Sequence, residues 1–311
     1  MKILLIGAGS VGVYFCGRAA LAGAEVEVVA HRELERISRE GYEVESIAGN
    51  FRFSPARVLS NASGASPDID VIVLATKVLP DVDRVALLAP AANLSHHPPV
   101  VLIQNGIGIE EEIAVAFPAN EIISAVAYIG ASRRDVNHIL HTGAGRLIIG
   151  RFGGGRSDFA VKLALLFNSV SVPCEVTENI ALERWRKLLW NLPFNPVSVL
   201  GGGLDSRELC DREGIEELCS HLMDEIIEIA NSCGVPLTRE MADGQIEYTR
   251  NFPPYKTSML QDFEAGRQLE VDAVIGNAVR IADKLHLAVP YIRCCAALLH
   301  SCNRKNTGKK A

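Results

Sequence analysis

The chain has 311 residues, 48% of them hydrophobic, enough for two domains with sizeable cores. Its formal charge of -6 offers no general attraction to nucleic acid or to an anionic membrane surface. A small-molecule partner is therefore expected.

The first element is the apolar run Lys2-Ile3-Leu4-Leu5-Ile6, a strand, which meets Gly7-Ala8-Gly9-Ser10-Val11-Gly12. A helix over residues 11–21 and a second strand over 24–30 complete a βαβ unit. In that context Gly7 permits a tight turn, Gly9 lets the backbone approach a pyrophosphate, and Gly12 allows close packing of helix on strand. Free N–H groups and the helix dipole would hold the anion, so Gly7, Ala8, Gly9, Ser10, Val11 and Gly12 form the expected phosphate cradle.

Further strands are expected over 44–53, 70–75, 100–103, 122–129 and 147–149, with a helix over 80–89. Residues 1–176 thus read as a Rossmann-like, doubly wound α/β domain. Helical periodicity then takes over through 180–199, 208–233, 239–248 and 271–285, giving an all-α C-terminal domain over 177–303. The lysine-rich residues 304–311 read as a flexible tail. The eight cysteines lack a CxxC or a paired histidine spacing, so reduced thiols and no metal site are expected. No stretch reaches the roughly 20 apolar residues of a membrane span, and the cytoplasm is the expected compartment.

Strand two of an NAD site normally ends in Asp or Glu about 20 residues past the glycines; here His31 and Arg32 stand there. A guanidinium pairs with a 2′-phosphate that a carboxylate would repel, which favours NADP(H). The alternative is that Arg32 is a solvated charge and Glu33 takes the ribose. Lys77 and Asn105 follow the strands ending at residues 75 and 103, at the sheet rim where such folds bind ligands, although a lysine after a strand is often solvated and Asn-Gly is a common turn. In the second half, Lys187, Asn191 and Asn195 stand at i, i+4 and i+8, one face of a helix. That stripe either grips a small polar substrate or faces water.

The chain resembles the ketopantoate reductase (2-dehydropantoate 2-reductase) family from residue 1 to about 299. The resemblance rests on the glycine run, Thr76-Lys77, Gln104-Asn105-Gly106-Ile107-Gly108, Ser132-Arg133-Arg134-Asp135 and Glu183-Arg184-Trp185-Arg186-Lys187 leading to Asn191 and Asn195-Pro196. It continues in Ser258-Met259-Leu260-Gln261-Asp262 and in Glu270-Val271-Asp272 leading to Gly276-Asn277. The resemblance implies NADPH-dependent reduction of 2-dehydropantoate to (R)-pantoate, a step toward pantothenate and coenzyme A. It makes Lys187 the proton donor and the group that polarises the keto oxygen. By the same resemblance Asn191 and Asn195 hold the substrate, Ser258 meets its carboxylate, and Asn105 sits where nicotinamide and substrate meet. Lys77 and Glu270 contact the cofactor or the polar groups around it, and Ser132 adds a backbone contact.

Two of these residues also have ordinary readings: Glu270 as a helix-starting acid and Ser258 as part of a capping box. Equally, Glu270 near Lys187 would orient the ammonium. The chain departs from the family pattern twice. His31 replaces an arginine, with Arg32 one place later, and residues 201–206 replace a further substrate-binding asparagine, leaving Asp205 or Ser206 to substitute. The alternatives are a related reductase of another 2-keto acid and a nonenzymatic NADP(H) sensor. The apolar helical half offers a surface for a homodimer.

Overall fold

Alternate residues of the first strand feed two separate cores, because successive side chains of a strand point to opposite faces. In β1 (Lys2–Ile6), Ile3 and Leu5 enter one apolar cluster, while Leu4 and Ile6 enter the other. The structure, a computed structural model, describes residues 1–307, with side chains through residue 303. Chain contacts divide it into two units. The first holds Met1–Lys77, Val82–Asn105 and Ile109–Ile180; the second holds Val78–Asp81, Gly106–Gly108 and the residues from Ala181 onward.

In the first unit β1 is followed by α1 (Ser10–Leu21), β2 (Glu25–Val29), α2 (Leu34–Glu40), β3 (Tyr42–Ser46), β4 (Phe51–Phe53), β5 (Arg57–Leu59) and β6 (Val71–Leu74). Then come α3 (Arg84–Ala92), β7 (Val100–Leu102), α4 (Glu111–Ala116), β8 (Ile122–Asp135), β9 (His138–Arg151), α5 (Asp158–Asn168) and β10 (Cys174–Val176). The sheet order is β4-β3-β9-β8-β7-β6-β1-β2-β5, with β10 beside β9. The run β5-β2-β1-β6-β7-β8 is parallel throughout, and in chain order it is the 3-2-1-4-5-6 arrangement of dinucleotide-binding sheets. Residues of α1 and α5 pack on one face, those of α3 and α4 on the other. The doubly wound expectation therefore holds.

Several expected boundaries do not. The strand expected over 44–53 is a hairpin, β3 against β4, turned where Asn50 Oδ1 accepts the Ser46 N–H at 2.8 Å. The strands expected over 122–129 and 147–149 are the inner ends of two 14-residue strands, β8 and β9, paired antiparallel through three irregularities. Their outer halves include Ser132-Arg133-Arg134-Asp135, which carries no apolar alternation. Pairing supplies their backbone bonds where a hydrophobic pattern gives no signal.

The second unit contains α6 (Ile180–Leu200) from its second residue on, then α7 (Glu208–Asp211), α8 (Ile215–Ser232), α9 (Arg239–Asn251), α10 (Ser258–Glu264), α11 (Asn277–Lys284) and α12 (Pro290–Thr307). It is helical, as expected. The run over 208–233 is broken into α7 and α8, and α11 is preceded by a π-helical turn, Asp272–Gly276. α12 continues through Thr307 of the tail expected over 304–311, and residues 308–311 lie outside the described residues. All eight cysteines are free. Among the described residues no helix is long and apolar enough to cross a membrane, and no His, Cys, Asp and Glu cluster could hold a metal ion.

Candidate active site

The three glycines of the cradle are needed for three different reasons. Gly7 has φ +101°, and a Cβ on it would lie 2.4 Å from the Thr76 nitrogen, so the turn after β1 presses on the backbone leaving β6. At Gly12 a Cβ would lie 2.7 Å from the Gly7 oxygen and 2.9 Å from Leu5 Cδ1, which is the close packing of α1 on β1. Gly9 is different: the nearest atom to an added Cβ is the Ala75 oxygen at 3.9 Å. The surrounding protein does not demand glycine there, whereas a pyrophosphate lying against the backbone does. Ser10, Val11 and Gly12 form the first turn of α1, which no side chain caps. Helix N–H groups and dipole are thus directed at the place an anion would occupy.

Lys77 and Asn105, both half-buried, follow β6 and β7 on the same sheet. Their spacing is fixed by a residue the sequence reading did not assign to the site. Gln104 is buried, and its Nε2 donates to the Thr76 carbonyl at 2.6 Å and to Thr76 Oγ1 at 3.1 Å. Arg84, also buried, donates to Gln104 Oε1 at 3.2 Å, to the Ile109 carbonyl at 2.8 Å and to Glu112 at 2.7 Å. This network ties the residue before Lys77 to the residue before Asn105. Gln104 stood next to Asn105 in a recognisable motif; Arg84 gave no sequence signal at all.

His31 and Arg32 lie exposed beyond the end of β2. Glu33, the alternative ribose acceptor, pairs with Arg36 at 3.1 Å. Arg36 also pairs with Glu40 at 3.1 Å and with Asp135 at 2.7 Å, fastening α2 to the end of β8. Ser132 is half-buried on the same stretch of β8, whose Ala131 carbonyl accepts from Ser10 Oγ at 3.2 Å.

In the second unit α6 carries Lys187, Asn191 and Asn195 on one face, as the spacing required. It is not a solvated stripe: Lys187 is half-buried, Asn191 is 8% exposed and Asn195 is 3% exposed. Asn195 Oδ1 is a buried acceptor without a hydrogen-bond partner among the described residues, and buried polar groups ordinarily find one. Pro193 and Pro196 lie inside the helix and remove two backbone donors beside these amides.

Burial pushes the Lys187 ammonium down to about 7, the Arg184 guanidinium pushes the same way, and the Glu270 carboxylate opposes both. Glu270 Oε1 also accepts the Val78 N–H at 2.8 Å, and the buried Arg184 reaches the Gly106 carbonyl at 3.4 Å. Gly106 itself, at φ +102°, lies against the π-turn: a Cβ there would stand 2.3 Å from the Ala273 oxygen. So Lys187 is repelled by a cation one turn earlier on α6 and attracted by a carboxylate two residues before the π-turn. Arg184 was visible in the family motif, but its proximity to the lysine ammonium was not.

Ser258 is exposed, and the cap of α10 is Thr257, whose Oγ1 accepts the Leu260 N–H at 3.2 Å. The capping-box reading of Ser258 is thereby corrected, and its hydroxyl is released from that duty. Asp205 and Ser206 fare differently. Asp205 Oδ1 accepts the N–H groups of Arg207 and Glu208, while Glu208 accepts the Asp205 N–H at 3.0 Å, a reciprocal cap of α7. Ser206 is fully buried and bridges the backbone of Tyr255 in both directions. Each side chain holds the local backbone, Asp205 through Oδ1 and Ser206 as an acceptor.

A dinucleotide-type sheet with an open phosphate cradle, and a helical unit presenting a desolvated lysine among buried amides, define an oxidoreductase. The profile described as Ketopantoate reductase PanE/ApbA matches residues 3–154, and that described as Ketopantoate reductase PanE/ApbA C terminal matches residues 179–303. The chain is 37% identical to the crystal structure of 2-dehydropantoate 2-reductase from Methylococcus capsulatus, over 98% of each chain, with a TM-score of 0.92. It is 29% identical to the 2-dehydropantoate 2-reductase of Nostoc sp., over 94% of this chain and 92% of the relative. A D-mandelate dehydrogenase solved with NADH and anilino(oxo)acetate shares the fold at 22% identity and a TM-score of 0.87. The chain belongs to the ketopantoate reductase family.

Proposed function

We propose that the protein reduces 2-dehydropantoate to (R)-pantoate with NADPH, a step toward pantothenate and coenzyme A. The observation that carries this reading is the Lys187 ammonium, desolvated to about 7 and faced by Glu270, on the helix face that also carries Asn191 and Asn195. Bound NADPH supplies the hydride. Lys187, about half protonated near neutral pH, polarises the keto oxygen and transfers its proton as negative charge develops there. Glu270 keeps that proton from being lost to burial.

Asn191 and Asn195 fix the substrate, and the partnerless Oδ1 of Asn195 is suited to a substrate hydroxyl, which 2-dehydropantoate has and a plain branched keto acid lacks. Ser258 is assigned to the carboxylate end. The cradle from Gly7 to Gly12 takes the pyrophosphate, His31 and Arg32 the 2′-phosphate, and Lys77, Asn105 and Ser132 the remaining cofactor contacts.

A second reading, reduction of a different 2-keto acid, is favoured by one observation: where the family pattern has an asparagine this chain has Asp205 and Ser206, both of which hold the local backbone. The test is NADPH oxidation at 340 nm with 2-dehydropantoate and a panel of branched, hydroxylated and aryl 2-keto acids. Highest kcat/KM for 2-dehydropantoate, lost about 10²–10⁴-fold in Lys187→Ala, supports the first reading. Preference for another acid with the same dependence on Lys187 selects the second.

A further inference from the structure

We propose that Arg133 is a second arm of the 2′-phosphate site, acting with Arg32; this rests on the NADPH reading and extends it to a residue of the β8-β9 hairpin. The geometry begins at the cradle. Ser10, in the first turn of α1, donates through Oγ to the Ala131 carbonyl at 3.2 Å, so β8 passes beside the place where the pyrophosphate would lie. Two residues further on, roughly 7 Å along a strand, stands Arg133. The Arg36–Asp135 ion pair, at 2.7 Å, fastens this end of β8 to α2, four residues beyond Arg32. The strand thus runs from the cradle to the end of β2, the course that the adenosine half of a dinucleotide takes across such a fold.

The charges around this corner are unevenly matched. Arg36 is paired with Glu33, Glu40 and Asp135, and Arg134 with Glu45 at 3.0 Å. Those pairs occupy the neighbouring carboxylates that would otherwise repel a phosphate. Arg32 and Arg133 are exposed and form no ion pair among the described residues. They are also close enough to repel each other: partial desolvation and then Arg32 lower the Arg133 guanidinium below the usual arginine range, with Tyr42 and Asp135 opposing. Tyr42 is buried, and its hydroxyl has no hydrogen-bond partner among the described residues. A dianionic phosphate placed between the two guanidinium groups would relieve their repulsion and offer each charge-assisted acceptors.

The test is isothermal titration of wild type, Arg32→Gln, Arg133→Gln and Arg134→Gln with 2′,5′-ADP and with 5′-AMP, so that the readout is binding of the phosphate-bearing half alone. Wild type is expected to bind 2′,5′-ADP more tightly than 5′-AMP. Arg32→Gln and Arg133→Gln should each weaken 2′,5′-ADP about 10- to 100-fold and leave 5′-AMP within twofold, while Arg134→Gln changes neither. If Arg133→Gln leaves 2′,5′-ADP unchanged while Arg32→Gln weakens it, Arg133 is not part of the site and the NADPH reading stands. If Arg133→Gln weakens both ligands alike, its role is structural and the proposal fails. Equal wild-type affinity for the two ligands would overturn the NADPH reading and the proposal together.

Discussion

Lys187→Met should make the protein more stable while destroying its activity. The substitution keeps a stem of similar length and removes the ammonium that the fold desolvates. The change from 10.5 to about 7, at about 1.4 kcal/mol per unit, sets the cost of that charge on the order of 5 kcal/mol at low pH. That net change already includes the attraction of Glu270; the poorer fit of a thioether among the polar groups there offsets part of the gain, so the variant should be about 2–4 kcal/mol more stable at pH 6.

The pH dependence carries a definite sign. Below about 7 the lysine is protonated in both states and the folded state bears the full penalty. Between about 7 and 10.5 the unfolded chain holds a proton that the folded chain lacks, so wild-type stability rises with pH and the advantage of the variant shrinks; above the unfolded value it disappears. Urea denaturation at pH 6, 8 and 10 measures this, and the two tryptophans of the chain, Trp185 and Trp190, both on α6, report the helical unit by fluorescence. A variant less stable than wild type at pH 6, or a difference that does not change with pH, would refute the desolvated lysine.

Glu270→Gln keeps an acceptor for the Val78 N–H but removes the charge that raises the Lys187 value; the lysine then falls further, and the alkaline decline of the reduction rate should begin at lower pH than in wild type, read from kcat profiles between pH 5.5 and 9. Gly7→Ala meets the Thr76 backbone at 2.4 Å with φ +101° and should cost more than about 2 kcal/mol of stability, seen as a lowered urea midpoint. Gly9→Ala has open space and should leave that midpoint within about 0.5 kcal/mol while weakening dinucleotide binding at least tenfold by titration; equal effects of the two substitutions on folding would contradict the cradle. Asp205→Ala removes the cap of α7 and should lower stability by about 1 kcal/mol with the substrate KM unchanged within twofold, whereas a large rise in KM would return Asp205 to the site.

The turn at Gly7 and the packing of Gly12 on β1 could be read from sequence because both follow from a strand just before and a helix just after, whereas the pressure of the Thr76 backbone on Gly7 comes from a neighbouring strand far along the chain. The same locality made the face of Lys187, Asn191 and Asn195 legible, since a helix fixes which residues share a side. Whether that face is wet or buried is not local. It depends on what packs against α6, and only the folded unit makes Asn195 3% exposed and brings Arg184 and Glu270 to bear on Lys187.

The sequence by itself determined the doubly wound sheet, the glycine turn between β1 and α1, the change to helices after residue 176 and the shared helix face of Lys187, Asn191 and Asn195, because periodicity and motif spacing express short-range geometry. Tertiary structure alone decided that Gln104 and Arg84 tie two strand ends together, that β8 and β9 extend into polar sequence to carry Arg133 toward Arg32, and that Asp205 caps a helix. Those outcomes arise from hydrogen bonds and charges between residues far apart in the chain, and no local pattern of residue types records such pairings.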